Sequence, residues 1–289
     1  MFNRQKTILC LLAGANREVS RIELMKWAFI LSREYCSRKD GPFYDFVPYQ
    51  YGPFSFALYR DMEPLVERGL VMEVSEKTWQ ITLDCEDFLD DLSSEVRDGI
   101  AETIKRFADE SQKSLMDYVY EKYPWFTVNS NKKKLGTRPQ SEPATYTLGY
   151  EGASIDAFLN TLVRKGVRHV LDVRKNPISR RYGFHKSSLQ RLCGNLDIDY
   201  SHFPQVGIPS EFRKNLKTSS DYKKLFKMYE RDILSSNSET IQQISDIMAS
   251  EPAVLVCSEA SPQSCHRSVL ARAVSESTKL TIRHLGILV

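Results

Sequence analysis

The chain has 289 residues, longer than most single domains, so two units that each bury a core are expected. Forty basic against 37 acidic side chains leave a formal charge of +3, which neither demands nor excludes a polyanionic partner, so any nucleic-acid footprint must be local. No apolar run approaches the roughly 18–20 residues of a membrane span and no signal-peptide pattern opens the chain, so a soluble, cytoplasmic protein without a membrane partner is expected.

In chain order, "TILCLLAG" and "SRIELMKWAFILSREYC" carry apolar residues at helical spacing, and Ser20 with Glu23 forms a capping box for the second helix. "YDFVPYQYGPFSFALYRDMEPLVERGLV" predicts an aromatic-rich extended stretch, a Gly52-Pro53 turn and a third amphipathic helix ending near Gly69. "VMEVSEKTWQIT" predicts a hairpin that turns at Ser75 to Lys77. Helix, helix, helix, hairpin is the order of a winged helix. A further helical stretch over about 94–122 is expected to pack on the wing or to make a homodimer. The stretches "LMKWAFILSREY", "YDFVPYQYGPFSFALYRDMEPLVERGLV" and "YVYEKYPWF" resemble the Panacea or SocA-like antitoxin domain of bacterial toxin–antitoxin and proteolytic-adaptor proteins, over about residues 5–128. That resemblance implies a binding module for protein or nucleic acid, with no catalytic residue.

"NSNKKKLGTRPQSEPAT" has almost nothing apolar to bury and predicts a linker at 129–145 between domains at 1–128 and 146–289. Beyond it, "YTLGY", "RHVLDVR", "DYSHF", "AVLVCSE" and "TIRHL" alternate with helical patterns. The expectation is an α/β fold: a doubly wound, mostly parallel five-stranded sheet, preceded by the mainly α, winged-helix-like domain.

In such sheets the ligand crevice lies beyond the carboxyl ends of the strands. Those ends carry Tyr150, Glu151 and Gly152; Asp172, Arg174 and the loop with Arg180, Arg181, Tyr182 and Phe184; His202; and Cys257, Glu259, Cys265, His266 and Arg267. All five histidines also fall after residue 145. Basic side chains interleaved with aromatics in the 174–184 loop suit phosphate pairing and base stacking. Ser264 is expected to cap a helix whose first turn holds Cys265, His266 and Arg267, which favours an anion there.

Three mechanisms compete for "VLVCSEASPQSCHRSVLA". One makes Cys257 or Cys265 a thiolate nucleophile of phosphatase or rhodanese type, although the loop to Arg267 is long and lacks glycine. Another has Cys257, Cys265 and His266 ligate a metal with His202 or His185, but without C-x-x-C spacing or a second paired cluster no cofactor is expected. The third uses Glu259 with Glu151 or Asp172 for acid/base chemistry, including on a glycosidic bond, while Arg174, Arg180, Arg181 and Arg267 hold phosphate.

"YTLGYEG", "VLDVRKNPISRRYGF", "LDIDYSHFPQVG" and "VLVCSEASPQSCHRSVLA" resemble the bacterial and archaeal domain of unknown function 488, over about 146–286, with its Tyr/Glu/Gly strand end, Asp-x-Arg strand end and Cys-x-Glu-x-x-Pro-x-x-Cys-His-Arg. The resemblance implies a fold and a ligand site without a settled reaction. The leading expectation is a nucleic-acid-associated protein, with a defence or repair role within reach. Its first domain targets DNA, RNA or a partner, and its second binds or processes a nucleotide or nucleic acid through Tyr150, Gly152, Phe184, His202 and the arginines. A non-enzymatic regulator, antitoxin or adaptor is the rival.

Overall fold

In the computed structural model, which describes residues 1–35, 43–82, 86–214 and 216–288, the chain divides into two units, Met1–Thr137 and Arg138–Val289. Cys36 and Cys85 lie outside the described residues. The division falls within the stretch expected to be a linker, yet that stretch is tied down on both sides of it. The Asn129 amide donates to the Pro48 carbonyl, the Leu135 and Gly136 N–H groups donate to the Thr127 hydroxyl, and Arg138 donates to the carbonyls of Leu196 and Val167. Poor apolar content does not prevent anchoring when backbone carbonyls are available to polar side chains.

The first unit runs α1 (Asn3–Ala15), β1 (Val19–Ser20), α2 (Arg21–Glu34), β2 (Val47–Tyr49), β3 (Gly52–Phe54), α3 (Phe56–Glu67), β4 (Val71–Ser75), β5 (Thr78–Ile81), α4 (Glu86–Leu89), α5 (Ser94–Phe107) and α6 (Gln112–Lys122). The Ser20–Glu23 capping box forms in both directions, at 3.1 and 2.9 Å, and starts α2 where the sequence marks it. The β4–β5 hairpin turns after Ser75, and β1 adds to it through Val19 opposite Trp79, in the antiparallel order β1-β5-β4.

Two expectations are corrected here. The Gly52-Pro53 pair is not the turn: β2 and β3 pair with Tyr49 opposite Gly52, so the chain reverses at Gln50–Tyr51. Gly52 opens the second strand at φ +88°, where a Cβ would lie 2.7 Å from the Tyr120 ring, so both conformation and space require glycine. The 94–122 stretch breaks between α5 and α6, and these helices pack chiefly on α1 and α2 rather than on the hairpin.

Helix α2 is buried all round from Glu23 to Leu31, which puts Lys26 inside with its ammonium 3.0 Å from the Pro53 carbonyl. Burial pulls Lys26 down from 10.5 to about 7. That difference is a penalty of about 5 kcal/mol on the charged form, larger than the roughly 1–3 kcal/mol lost if the Pro53 carbonyl loses its partner.

The second unit runs β6 (Thr145–Gly149), α7 (Ile155–Arg164), β7 (His169–Asp172), α8 (Lys186–Gly194), β8 (Asp199–His202), α9 (Ser219–Met228), α10 (Ser238–Ser250), β9 (Ala253–Cys257), α11 (Arg267–Thr278) and β10 (Ile282–Leu285). It has the expected α/β architecture: five strands, all parallel, in the order β10-β6-β9-β7-β8. β6 and β9 are buried along their whole length, as strands covered on both faces must be. Between α9 and α10 lies a π-helical turn at Tyr229–Leu234 followed by a 3-10 turn at Ser235–Asn237. Among the described residues no helix is long and apolar enough to cross a membrane.

Folding lowers the Lys26 pKa, so the unfolded chain holds more protons between about pH 7 and 10.5, and the stability of the wild type climbs with pH across that window. Lys26→Met is expected to raise Tm by a few degrees at neutral pH and to remove that part of the pH dependence in denaturant titrations. Equal pH slopes in the two proteins would refute this.

Candidate functional site

The carboxyl ends of four strands lie side by side, because Gly149 pairs with Cys257, and Asp172 pairs with both Val256 and His202. The rim residues named from sequence therefore share one edge of the sheet. Their side chains do not act as one group.

Asp172 and Arg174 form a closed internal network. Asp172 is fully buried and accepts from the Arg174 backbone N–H, Nε and Nη2 at 3.1, 2.8 and 2.5 Å, and from the Tyr200 hydroxyl at 2.6 Å. Arg174 also donates to the Tyr150 hydroxyl and the Phe184 carbonyl, both at 2.8 Å. Burial lowers the Arg174 pKa, but Asp172 more than compensates and the guanidinium stays charged. Tyr150 stacks on the wholly buried Phe184 ring at 4.1 Å. A carboxylate saturated by four donors is no general acid or base, and Arg174, Tyr150 and Phe184 are spent on one another rather than offered to a phosphate or a base.

Arg267 is a second correction. It is 1 % exposed, and its two terminal nitrogens donate to the carbonyls of Glu259 and, at 2.9 Å, Ala260. The helix it belongs to starts later than expected. Ser264 closes a short 3-10 turn and caps nothing, Cys265 is extended, and His266 is the N-cap residue without a side-chain cap. The Ser268 and Val269 N–H groups bond to the carbonyls of Cys265 and His266, so the helix end holds its own donors rather than an anion. The strap Ser258–Ala260 is also clamped from β6: the Glu151 N–H donates to Ser258, and the Glu151 carboxylate accepts from the Ala260 N–H at 3.0 Å. Gly149 lets the strap approach, since a Cβ there would overlap the Glu259 carbonyl and lie 3.0 Å from Arg267.

The strap delivers the Glu259 carboxylate between two buried thiols, with Oε2 3.0 Å from the sulfurs of both Cys257 and Cys265. His266 Nδ1 lies 3.8 and 4.0 Å from the same sulfurs, while its Nε2–H donates to the Val173 carbonyl at 3.0 Å. A carbonyl only accepts, so Nε2 carries a proton, and Nδ1 is the ring atom turned to the sulfurs. The Tyr229 ring stands edge-on to the imidazole at 5.4 Å, and its hydroxyl donates to Val206 at 2.7 Å.

The hydrogen bond from Cys265 lowers Cys257 to about 6, against burial and with help from His266. Burial, then the charge on Cys257, pushes Cys265 well up. Burial works against Glu259 ionising, but its contacts with the two thiols bring it down to about 2. Burial also works against a charged His266, and the Cys257 charge overcomes it, raising that pKa. A Cys257 that has released its proton no longer donates to Glu259, so the group holds two negative charges beside one imidazole.

A pocket of about 400 Å³ opens over this group, lined by Ser210, Arg213, Tyr222, Phe226, Glu259 and His266 among others. Arg213 approaches Glu259 to 3.7 Å. Both sulfurs are at most 1 % exposed and neither lines the pocket. The exposed fringe consists of Arg180 and Arg181, the latter reaching the Tyr150 carbonyl at 3.4 Å, with Lys175 against the backbone at Gly207. His202 donates to the Arg174 carbonyl and meets Lys186 through Nδ1, and His185 bonds to Ser187, so neither histidine joins the thiols. Gly152, at φ +81°, serves the turn after β6. Glu151 and Asp172 do not meet Glu259 at the pocket, so the paired-carboxylate arrangement is not formed.

Sequence reasoning missed Arg213, Tyr222, Phe226 and Tyr229. Of the motifs quoted above only "LDIDYSHFPQVG" runs near them. What fold and site define is a parallel α/β domain with a thiol–imidazole–carboxylate group under a strand-end pocket. Residues 154–274, within the second unit, match the family described as Domain of unknown function DUF488. No curated protein and no solved structure matches the chain.

Arg267→Ala is expected to destabilise the fold by roughly 3–5 kcal/mol, because it strands two inward-facing carbonyls, rather than to leave a stable chain that has lost a ligand. Urea unfolding monitored by circular dichroism reads this directly; an unchanged midpoint would restore Arg267 as a ligand residue.

Proposed function

We propose that the second unit binds and processes a phosphate-bearing ligand, a nucleotide or nucleic acid, at the strand-end pocket, and that the first unit is a partner-binding winged helix. The carrying observation is the pocket itself, with Glu259 and His266 facing in and Arg213 at its side. On the same strand-end edge Lys175, Arg180 and Arg181, which follow β7, supply cations, and Phe212, half exposed beside Arg213, is an aromatic surface for a base in place of the buried Phe184. The reaction class is hydrolysis or group transfer, with Glu259 and His266 as the ionisable groups presented to the ligand. The sulfurs lie beneath them, which favours a supporting role over that of an accessible nucleophile.

For the first unit, the order α1-β1-α2-α3-β4-β5, interrupted by the separate β2–β3 hairpin between α2 and α3, with β1 on the β4–β5 hairpin, supports the winged-helix reading and, with it, the Panacea or SocA-like kinship. Helix α3, the one such folds present to DNA, carries Arg60 against Asp61, Glu63 and Glu67. An acidic helix repels phosphate, so a protein partner suits this unit better than a duplex.

Fluorescence anisotropy of the full chain with labelled single-stranded DNA and RNA tests the nucleic-acid reading. The double variant Arg180→Glu, Arg181→Glu and the single Arg213→Ala are expected to weaken binding about tenfold or more and to flatten its salt dependence. No binding by the wild type at low salt, or identical isotherms for the variants, would sink the proposal.

A further inference from the structure

We infer that Cys257, Cys265 and His266 bind a zinc ion and that Glu259 fills its fourth position on the pocket side. Such a centre goes beyond ligand binding in the pocket and does not depend on what the pocket holds.

The ligand atoms of Cys257, Cys265 and His266 lie within 4.8 Å of one another, and all three residues are buried. Zinc bonds to sulfur at roughly 2.3 Å and to nitrogen or oxygen at roughly 2.0–2.2 Å, so neighbouring ligand atoms of a tetrahedron stand about 3.5–3.8 Å apart. Here the sulfur-to-Nδ1 edges are 3.8 and 4.0 Å, and both sulfur-to-Oε2 edges are 3.0 Å, which open by about half an ångström as the carboxylate swings toward the pocket. Three donors thus face one point within 4.8 Å of one another, and Glu259, near both sulfurs but outside that set, reaches the fourth position by rotation of its side chain.

The surroundings match as well. His266 gives its Nε2 proton to the Val173 carbonyl, the outer bond that fixes the tautomer of a metal-ligating histidine. Tyr229 holds the ring from its edge. Two cysteines, a histidine and a carboxylate suit zinc in a way that an all-oxygen set would not. Binding is balanced by loss of the two thiol protons to solvent, with the imidazole neutral and Glu259 already ionised. The two sulfurs lie below the pocket floor while His266 and Glu259 line it, which is the pattern of a centre whose carboxylate exchanges for water or ligand rather than of a closed structural site. The sequence argued against metal because Cys257 and Cys265 lack C-x-x-C spacing. The strap held by Arg267 folds the intervening residues back and removes that objection.

The test uses the full chain purified under reductant, with elemental analysis of the protein as isolated and cobalt titration after chelation. The expected result is one zinc per chain, and a cobalt form with thiolate charge-transfer absorption and intense visible bands of a tetrahedral ion. Cys257→Ser and Cys265→Ser are expected to lower metal affinity at least 100-fold with diminished charge transfer, and Glu259→Gln about tenfold with charge transfer intact. Circular dichroism identifies any cysteine variant that fails to fold, and the wild-type cobalt spectrum stands as a readout that needs no variant. Absence of stoichiometric zinc together with absence of a cobalt–thiolate band in the reduced wild type would overturn the inference, as would folded cysteine variants that keep full affinity. Metal content unchanged in Arg180→Glu, Arg181→Glu separates this result from failure of nucleic-acid binding.

Discussion

Everything at the strand-end edge hangs on the buried guanidinium of Arg267. A strap that turns the carbonyls of Glu259 and Ala260 inward would be costly without donors, and Arg267 provides one to each from the start of α11. Glu151 pins the same strap from the side of β6, and Gly149 clears the space it occupies. Only because the strap is fixed at both edges does the Glu259 side chain come down between two sulfurs that lie eight residues apart in the chain. The position of the Glu259 carboxylate is thus set by groups that do not line the pocket.

Asp172 and Arg174 extend the same logic. A bidentate ion pair in the interior contributes little net stability, since desolvation offsets most of its attraction. Its effect is geometric: with Tyr150, Tyr200 and the Phe184 carbonyl it ties the ends of three strands and the 175–184 loop into one arrangement. Of the rim arginines, those left for solvent are Arg180 and Arg181.

The sheet was legible because β-branched runs alternating with helical periods leave few alternatives, and the rim was legible because parallel sheets place their sites at the carboxyl ends. Which rim residues face inward was not. An Arg at a helix start reads as an anion receptor until the strap that consumes its donors is known. Phe184 reads as a stacking platform until it is seen under Tyr150, and Lys26 looks like one lysine among many until α2 proves buried on every side. Arg213, Tyr222 and Tyr229 stand far from the motif in sequence and reach it only through the return of the chain after β8. Local pattern carries no information about such long-range closure.

The π-helical turn at Tyr229–Leu234 sets a phase relation between α9 and α10. One extra residue in a turn rotates the succeeding helix by about 100° relative to an uninterrupted one. Leu225 and Phe226 therefore face the pocket while Ile244 and Met248 face the sheet core, and Tyr229 sits where the two phases meet with its ring against His266. With the 3-10 turn Ser235–Asn237 that follows it, the irregularity lets one stretch of chain serve both as wall of the pocket and as cover of the sheet.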